Sequence, residues 1–249
     1  MSAPATFTAY IEHVQQQLTR AVEVNLAAIT TAADWIATAI EAGRPLHVFG
    51  ASHAGLLAQD LFFRAGGLVP VQPILPAGLM LNERPVQRTS RLERLPGFAA
   101  TFMDDLHLDR ADALLVISVS GRNPVAVEAC QLAQRAGARV IALTSVAYSS
   151  RVQARVGSLR LYEAADLCLD LPAVHGDAVL QVTADGPAVG PTSTAVGSAI
   201  LHGLSCEVAA LLCRRGMSPP VFASANLDDS DARNNALLAT YADRITYTH

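Results

Sequence analysis

The sequence contains no lysine, since all 18 of its basic residues are arginine. This absence excludes every reaction that needs a lysine of this chain. Schiff-base aldolases, pyridoxal phosphate enzymes and nucleotide binding by a Walker-A motif belong to this group. The formal net charge is −4 and the arginines are scattered. Nucleic acid is therefore not an expected partner.

Two further absences concern membranes and cysteine chemistry. No apolar run approaches the roughly 20 residues of a spanning helix, and residues 1–20 lack the basic start and apolar core of a signal peptide. We therefore expect a cytoplasmic protein with no membrane partner. The cysteines form no C-x-x-C pair, so we expect four buried thiols rather than disulfides or a zinc site. They are Cys130, Cys168, Cys206 and Cys213.

The clearest pattern is a strand, a turn and a helix within residues 113–137. Leu114–Ile117 is an unbroken apolar run, which is typical of a parallel strand buried on both faces. The turn S-V-S-G-R-N-P follows, and its last two residues suit the N-cap and the first position of a helix. A hydroxyl-rich turn before a helix N-terminus predicts an anion site that suits phosphate. The alternative is that the two serines only satisfy backbone groups of a tight turn.

A second strand and turn of the same kind occur earlier in the chain. The apolar residues 46–49 run into G-A-S-H-A-G, and a helix follows. Two such turns on neighbouring parallel strands would face each other where the strand order of the sheet reverses. This position is the usual ligand crevice of open α/β sheets.

The remaining pattern predicts five short strands that alternate with helices. Such an order indicates a three-layer α/β/α sandwich around a parallel sheet, with helical additions at both ends. The other predicted elements are a helix over 5–42, an edge strand over 68–75, a loop over 76–94, a helix over 95–106, a strand over 139–144, a helix over 147–155, a strand over 167–171, an irregular stretch over 173–191, and helices over 192–214 and 231–243.

The first helix carries apolar residues at spacings of three and four, so it must cover another surface. A helical hairpin on its own domain and a helix packed on a partner subunit are both consistent with the pattern. We favour the partner. The expected division is an assembly segment over residues 1–43 and a ligand-binding domain over residues 44–249.

With both turns in view, the chain resembles the SIS (sugar isomerase) phosphosugar-binding family. The family turn S-x-S-G-x-(T/S/N) is matched at residues 118–123, and the earlier turn G-x-S at residues 50–52. A Ser/Thr cluster at residues 192–194 matches the usual start of the C-terminal helix. The stretches FFRAGGLVPVQPIL and PPVFASANLDD are similar to a stand-alone branch near phosphoheptose isomerase.

The resemblance implies a flavodoxin-like five-stranded sheet, a sugar phosphate as ligand, no cofactor, and a homodimer or homotetramer whose sites share residues between subunits. Arg122 adds a possible bidentate phosphate contact, or else it points to solvent. The predicted phosphate-binding residues are Gly50, Ser52, Ser118, Ser120, Gly121, Arg122, Asn123, Ser193 and Thr194.

The resemblance also suggests catalytic residues. Phosphoheptose isomerases use a Glu in the first helix after the turn, where this chain has Asp60, and a His in the C-terminal helix, for which His202 is the candidate. Glu83 is a rival base, unless it pairs with a neighbouring arginine. His53 follows the turn serine and is a candidate to face the sugar, whereas His175 lies in a loop. No histidine pair has metal-ligand spacing, so we expect no metal.

These residues predict an isomerase that moves a proton between adjacent carbons through an enediol. A lyase acting on an amino-sugar phosphate would use similar groups. A non-catalytic phosphosugar sensor is the alternative from another class. Sensors of this kind usually carry a DNA-binding module, and the chain shows none, which favours an enzyme.

Overall fold

The computed structural model describes residues 5–155, 157, 159–228 and 230–247. Residues 1–4 of the predicted assembly segment and residues 248–249 of the predicted ligand-binding domain lie outside the described residues. A short 3-10 helix covers Asp104–Leu106. The elements in chain order are α1 (Ala5–Glu41), β1 (Leu46–Gly50), α2 (His53–Leu61), β2 (Val71–Ile74), α3 (Gln87–Leu92), α4 (Ala100–Met103), β3 (Ala113–Ile117), α5 (Pro124–Arg135), β4 (Arg139–Thr144), α6 (Val146–Ser149), α7 (Leu161–Ala164), β5 (Leu167–Asp170), β6 (Ala178–Leu180), β7 (Val189–Pro191), α8 (Ser193–Arg214) and α9 (Ser230–Tyr241).

Five parallel strands form one sheet in the order β2-β1-β3-β4-β5. Side chains alternate across each strand, so Leu115 and Ile117 join the apolar core under α1, α2 and α8. Leu114 and Val116 join the core under α4, α5 and α7. The predicted three-layer sandwich with a flavodoxin-like sheet is therefore confirmed.

Helix α1 is continuous over 37 residues, so the alternative of a helical hairpin is wrong. The buried Asn25 links α1 to the end of β5 through two hydrogen bonds. Its Nδ2 donates to the Asp170 carbonyl at 2.8 Å, and its Oδ1 accepts from the Asp170 N–H at 2.8 Å. Arg215, just after α8, binds Asp34 and Glu41 of α1 at 2.6 and 2.8 Å. The helix therefore shares the core of its own domain.

The outer side of α1 still carries apolar side chains in solvent. Phe7, Val22 and Leu26 are 64%, 62% and 66% exposed. A surface of this kind fits a contact with a second copy of the chain. The assembly role of residues 1–43 stays a prediction.

The boundaries differ from the prediction mainly between the strands. β2 is four residues long and lies at the sheet edge, as its prolines predict. The predicted loop over 76–94 contains α3, and the predicted helix over 95–106 is only α4 and a 3-10 turn. The stretch over 173–191 contains the antiparallel hairpin β6–β7, whose three-residue strands are too short to show a period of two.

Helix α8 contradicts two predictions. An 18-residue window within its 22 residues has a mean hydropathy of 1.6, so by length and composition it matches a spanning helix after all. Its buried residues, among them Leu201 and Leu204, pack in the core shared with α1 and α2, as in a core helix. Cys206 and Cys213 on α8 are exposed, not buried, because a helix that is apolar all round gives no signal for its core side. Cys130 is buried and Cys168 partly buried.

A polar cluster closes the other end of the sheet, before β1 and β3. Asp112 is 3% exposed and accepts the Asp109 N–H at 2.8 Å. It lies 3.8 Å from both His47 Nε2 and Arg44 Nε. Burial opposes ionisation of Asp112, but the hydrogen bonds from His47 and Asp109 and the charges of His47 and Arg44 hold its pKa below the ordinary 3.8.

We predict that Asp112→Asn lowers the free energy of unfolding by about 1–3 kcal/mol at pH 7, because it removes a buried, paired charge. The folded state holds the pKa of Asp112 below its unfolded value, so the contribution is present above pH 3.8 and disappears as the pH falls further. Urea unfolding at pH 7 and at pH 4 and below measures this. Asp105→Asn, on an exposed residue, is the matched control. An equal effect of both variants would contradict the account.

Candidate functional site

The two predicted turns lie side by side at one edge of the sheet. β1 and β3 are neighbours in parallel register, with Gly50 opposite Ile117, so both strands end at the same level. The strand order reverses between them, since β2 lies beyond β1 and β4 beyond β3. This arrangement creates the crevice at which open α/β sheets bind ligands.

The first turn is held in a strained conformation. A Cβ at Gly50 would lie 2.4 Å from the carbonyl oxygen of Ala54, so only glycine allows α2 to start this close to β1. Ser52 adopts a positive φ of 54°, and its N–H donates to Leu79 O at 2.8 Å. Such a φ is costly for a residue other than glycine and is typical of functional sites.

The second turn forms an open cradle of donors, residues 118–121, before α5. Gly121 has a φ of 58°, and its N–H closes the turn onto Ser118 O at 3.1 Å. Within the described chain, the hydroxyls of Ser118 and Ser120 have no hydrogen-bond partner. Pro124 occupies the first turn of α5, as predicted. Free hydroxyls at a helix N-terminus form an anion-binding cradle.

Asn123 precedes α5 in the N-cap position, but its side chain makes no cap hydrogen bond, contrary to the prediction. Its amide instead donates to Glu93 Oε2 at 2.8 Å, and its carbonyl accepts from Arg155 Nε at 2.8 Å.

In the first turn of α5, Pro124 has no N–H. The Val125 N–H donates to Glu93 O at 3.3 Å, and the Val127 N–H donates to Asn123 O at 3.5 Å. Within the described chain, the Ala126 N–H is the group of this first turn that is left for a ligand.

A cleft of about 320 Å³ opens between the two turns. In the described parts of the chain no arginine lines it, so the donors come from hydroxyls, backbone N–H groups and helix N-termini. Of the predicted catalytic residues, His53 alone lines it, as the exposed first residue of α2. The polar residues around it are Ser52, His53, Ser90, Glu93, Ser118, Ser120, Asn123, Tyr148 and Asp177.

Glu93 is the site residue that sequence reasoning missed. It follows α3, lines the cleft, and accepts hydrogen bonds from Ser52 Oγ and from the Asn123 amide. The carboxylate therefore bridges the two turns. Its only sequence signal is an acidic residue among the arginines of a long connection.

A second carboxylate occupies the N-terminus of α8. Asp177, at a positive φ of 65°, accepts the Ser193 N–H at 2.9 Å and the Ser193 hydroxyl at 2.6 Å. Thr194 is exposed, and neither Ser193 nor Thr194 lines the cleft. The structure thus pairs Ser193 with Asp177 and does not bring these two predicted phosphate contacts to the cradle.

Asp60 and His202 lie together, but away from the cleft. Asp60 Oδ2 accepts from Ser198 Oγ at 2.7 Å and contacts His202 Nε2 at 2.8 Å, and Arg64 bonds the other oxygen. Burial opposes ionisation of Asp60, but these hydrogen bonds and the charges of His202 and Arg64 hold its pKa below the ordinary value. Asp60 follows His53 by seven residues, which is about 10 Å along α2.

The other candidates also lie outside the cleft lining. Glu83 is 3.5 Å from Arg88 Nη2, which is the pairing the alternative prediction named. Arg122 Nε is buried without a partner in the described chain. The His175 ring contacts the Tyr148 ring with centroids 4.8 Å apart. No group of three or more potential metal ligands was found among the described residues.

Comparison with known proteins agrees with the geometry. The family model of the SIS domain matches residues 9–145. A UPF0309 protein of Shouchella clausii is 41% identical over 96% of this chain and 97% of its own length, and one of Oceanobacillus iheyensis is 40% identical over 88% and 89%. The chain therefore belongs to the SIS-domain family and to the UPF0309 proteins within it.

Solved structures share the fold at low sequence identity. A phosphoheptose isomerase from Francisella tularensis is 19% identical with a TM-score of 0.54, over 84% of this chain and 98% of that one. Phosphoheptose isomerase GmhA from Neisseria gonorrhoeae is 14% identical with a TM-score of 0.55, over 83% and 98%. The NanR protein of Vibrio vulnificus, complexed with ManNAc-6P, is 14% identical with a TM-score of 0.50, over 94% and 69%.

We predict that Gly121→Ala destabilises the protein by about 1–3 kcal/mol, because the backbone is left-handed there and the fit is tight. The new Cβ would lie 2.9 Å from Thr144 Oγ1 and 3.0 Å from Ser149 Oγ. Urea unfolding measures the change. Gly203→Ala is the matched control, since nothing lies within 4 Å of its added Cβ, and it should be neutral or stabilising. A Gly121→Ala protein as stable as wild type would contradict this conformation of the cradle.

Proposed function

We propose that the cleft binds a sugar phosphate and interconverts its aldose and ketose forms, in a cytoplasmic homo-oligomer. The anion cradle carries the proposal, because it offers unpaired Ser118 and Ser120 hydroxyls at the N-terminus of α5. Membership of the SIS-domain family supports it. Two proteins of similar fold are phosphoheptose isomerases, and a third was determined with ManNAc-6P.

In this proposal the cradle holds the phosphate and the sugar extends into the cleft. Backbone N–H groups of the turn and the two serine hydroxyls donate to the phosphate oxygens. Gly50 and Gly121 contribute because they carry no side chain, so each turn can pack closely against its neighbouring residues and keep its backbone N–H groups at the cleft. Ser52 and Asn123 face the ligand from the side, where both already bond Glu93.

The reaction takes a proton from the carbon beside the carbonyl and returns it to the neighbouring carbon, while a second group moves a proton between the sugar oxygens. We assign the base to Glu93 and the oxygen proton transfer to His53. Both side chains line the cleft. Asp177 is a weaker candidate, because its two oxygens accept three hydrogen bonds from Thr192 and Ser193. Each oxygen of Glu93, in contrast, accepts one.

Asp60 with His202, and Glu83, are the second choice for the base. The Asp60–His202 contact joins a carboxylate to an imidazole at 2.8 Å, as proton transfer requires. A sugar held in the cradle would have to extend two turns along α2 to meet them. Glu83 is half-exposed and paired with Arg88. We therefore rank these residues after Glu93.

The ligand class is tested by a thermal-shift panel of pentose, hexose, heptose and amino-sugar phosphates, with inorganic phosphate as reference. A ligand at 100 times its Kd adds about 2.7 kcal/mol of stability, or roughly 5–10 °C in Tm. We expect such a shift with at least one sugar phosphate, its loss in Ser120→Ala, and its retention in Ser150→Ala, an exposed control. If no sugar phosphate exceeds inorganic phosphate, the proposed function is wrong.

Glu93→Gln separates binding from catalysis. Removing a negative charge beside the cradle should tighten binding of the sugar phosphate about three- to tenfold. Turnover should fall at least about 100-fold, because the base is gone. Isothermal titration and an isomerisation assay measure the two effects, with Glu12→Gln on exposed α1 as control.

The rival bases are tested in the same assay with Asp60→Asn and Glu83→Gln. Full turnover in Glu93→Gln together with loss in either rival variant would move the base to that residue. Elimination of a substituent from an amino-sugar phosphate would indicate the lyase. Tight binding without conversion of any panel member would indicate the phosphosugar sensor.

A further inference from the structure

Three arginines gather beside the anion cradle, on the side of Asn123. Arg155 donates from Nε to Asn123 Oδ1 at 2.8 Å and from its N–H to Arg122 O at 3.1 Å. Arg122 belongs to the turn itself, and Arg94 directly follows Glu93. We call Arg94, Arg122 and Arg155 the arginine cluster.

The cluster has more positive charge than its surroundings neutralise. Glu93 is the carboxylate beside it, and that side chain already accepts from Ser52 and Asn123. Desolvation and the neighbouring charges of Arg94 and Arg122 lower the pKa of Arg155, while Glu93 raises it. Arg122 Nε is buried without a partner in the described chain. Among the described residues, no ion pair joins Arg94, Arg122 or Arg155 to a carboxylate, and Glu93 is the acidic group whose charge acts on Arg155.

Other arginines of the chain are paired with acidic residues. Arg44, Arg160 and Arg215 each form an ion pair with at least one carboxylate. The cluster differs from the single unpaired arginines elsewhere because its three members lie close together. Gathering like charges without partners costs free energy, which an anionic ligand would offset. Guanidinium groups bind phosphate and carboxylate through paired N–H donors.

Asn123 connects the cluster to the cradle. Its side chain lines the cleft and bonds Arg155 on its other side. A ligand phosphate at the N-terminus of α5 would therefore lie one side chain away from the arginines. The arginine cluster itself lies outside the cleft lining, so a second anion of the same molecule must extend past Asn123 to contact it.

We propose that the arginine cluster binds a second anionic group of the ligand, so that the substrate class is a sugar with two anionic groups, a bisphosphate or a phosphorylated sugar acid. This inference rests on the proposed function and narrows its substrate class. In this inference, Arg122 and Arg155 select ligands that carry a second anionic group, whereas the cradle binds the phosphate that all candidate ligands share.

The test compares matched pairs by isothermal titration of the full chain at 150 mM salt. Fructose 6-phosphate is measured against fructose 1,6-bisphosphate, and glucose 6-phosphate against 6-phosphogluconate. We expect the doubly anionic member of at least one pair to bind at least tenfold more tightly. Arg122→Gln and Arg155→Gln should reduce that preference below threefold, and affinity for the monophosphates should change less than threefold. Arg151→Gln, on an exposed neighbour, should leave all values unchanged.

The outcomes separate this inference from the proposed function. Equal affinity within both pairs, or a preference that survives both substitutions, overturns the second anion site and leaves the phosphosugar cleft standing. A Ser120→Ala variant that loses monophosphates and bisphosphates alike supports the cradle as the common anchor. Absence of binding by all four sugar phosphates overturns the second anion site, and absence of binding by the whole thermal-shift panel overturns the proposed function as well.

Discussion

The parallel pairing of β1 with β3 is the constraint on which the site depends. Because Gly50 and Ile117 stand opposite each other, the two turns that follow them must meet at one edge of the sheet. The strand order reverses at this pair, which is the position where open α/β sheets leave a ligand cleft. The apolar cores on both faces keep the pairing rigid, since the strands are buried throughout. The donors of the cradle are thereby oriented before any ligand arrives.

Two carboxylates of the protein itself occupy some of the hydrogen-bond donors at this edge of the sheet. Glu93 bonds Ser52 and Asn123, and Asp177 bonds Ser193 at the start of α8. Helix N-termini and hydroxyls attract any anion, including those of the protein itself. In the Ser118–Gly121 turn, by contrast, the two serine hydroxyls have no partner among the described residues. Acid–base groups are also brought next to the cradle in this way, as proton transfer to a bound sugar requires.

Sequence reasoning predicted the parts of the site that are contiguous in the chain. The turn over 118–123 is a local pattern, and so is the apolar run of β3, so both could be placed without a structure. Glu93 could not, because its partners Ser52 and Asn123 are 41 and 30 residues away. The pairing of Ser193 with Asp177 spans 16 residues and a hairpin that has no periodic signal. The exposed cysteines of α8 were misplaced for a related reason, since a uniformly apolar helix does not show which side faces the core.

The most direct test of the central claim is a crystal structure of the protein with a sugar phosphate that it binds. The account predicts the phosphate at the N-terminus of α5, within hydrogen-bond distance of the Ser118 and Ser120 hydroxyls, and the sugar in the cleft beside Glu93 and His53. A phosphate bound at the start of α8, or on the far side of α2 beside Asp60 and His202, would contradict it.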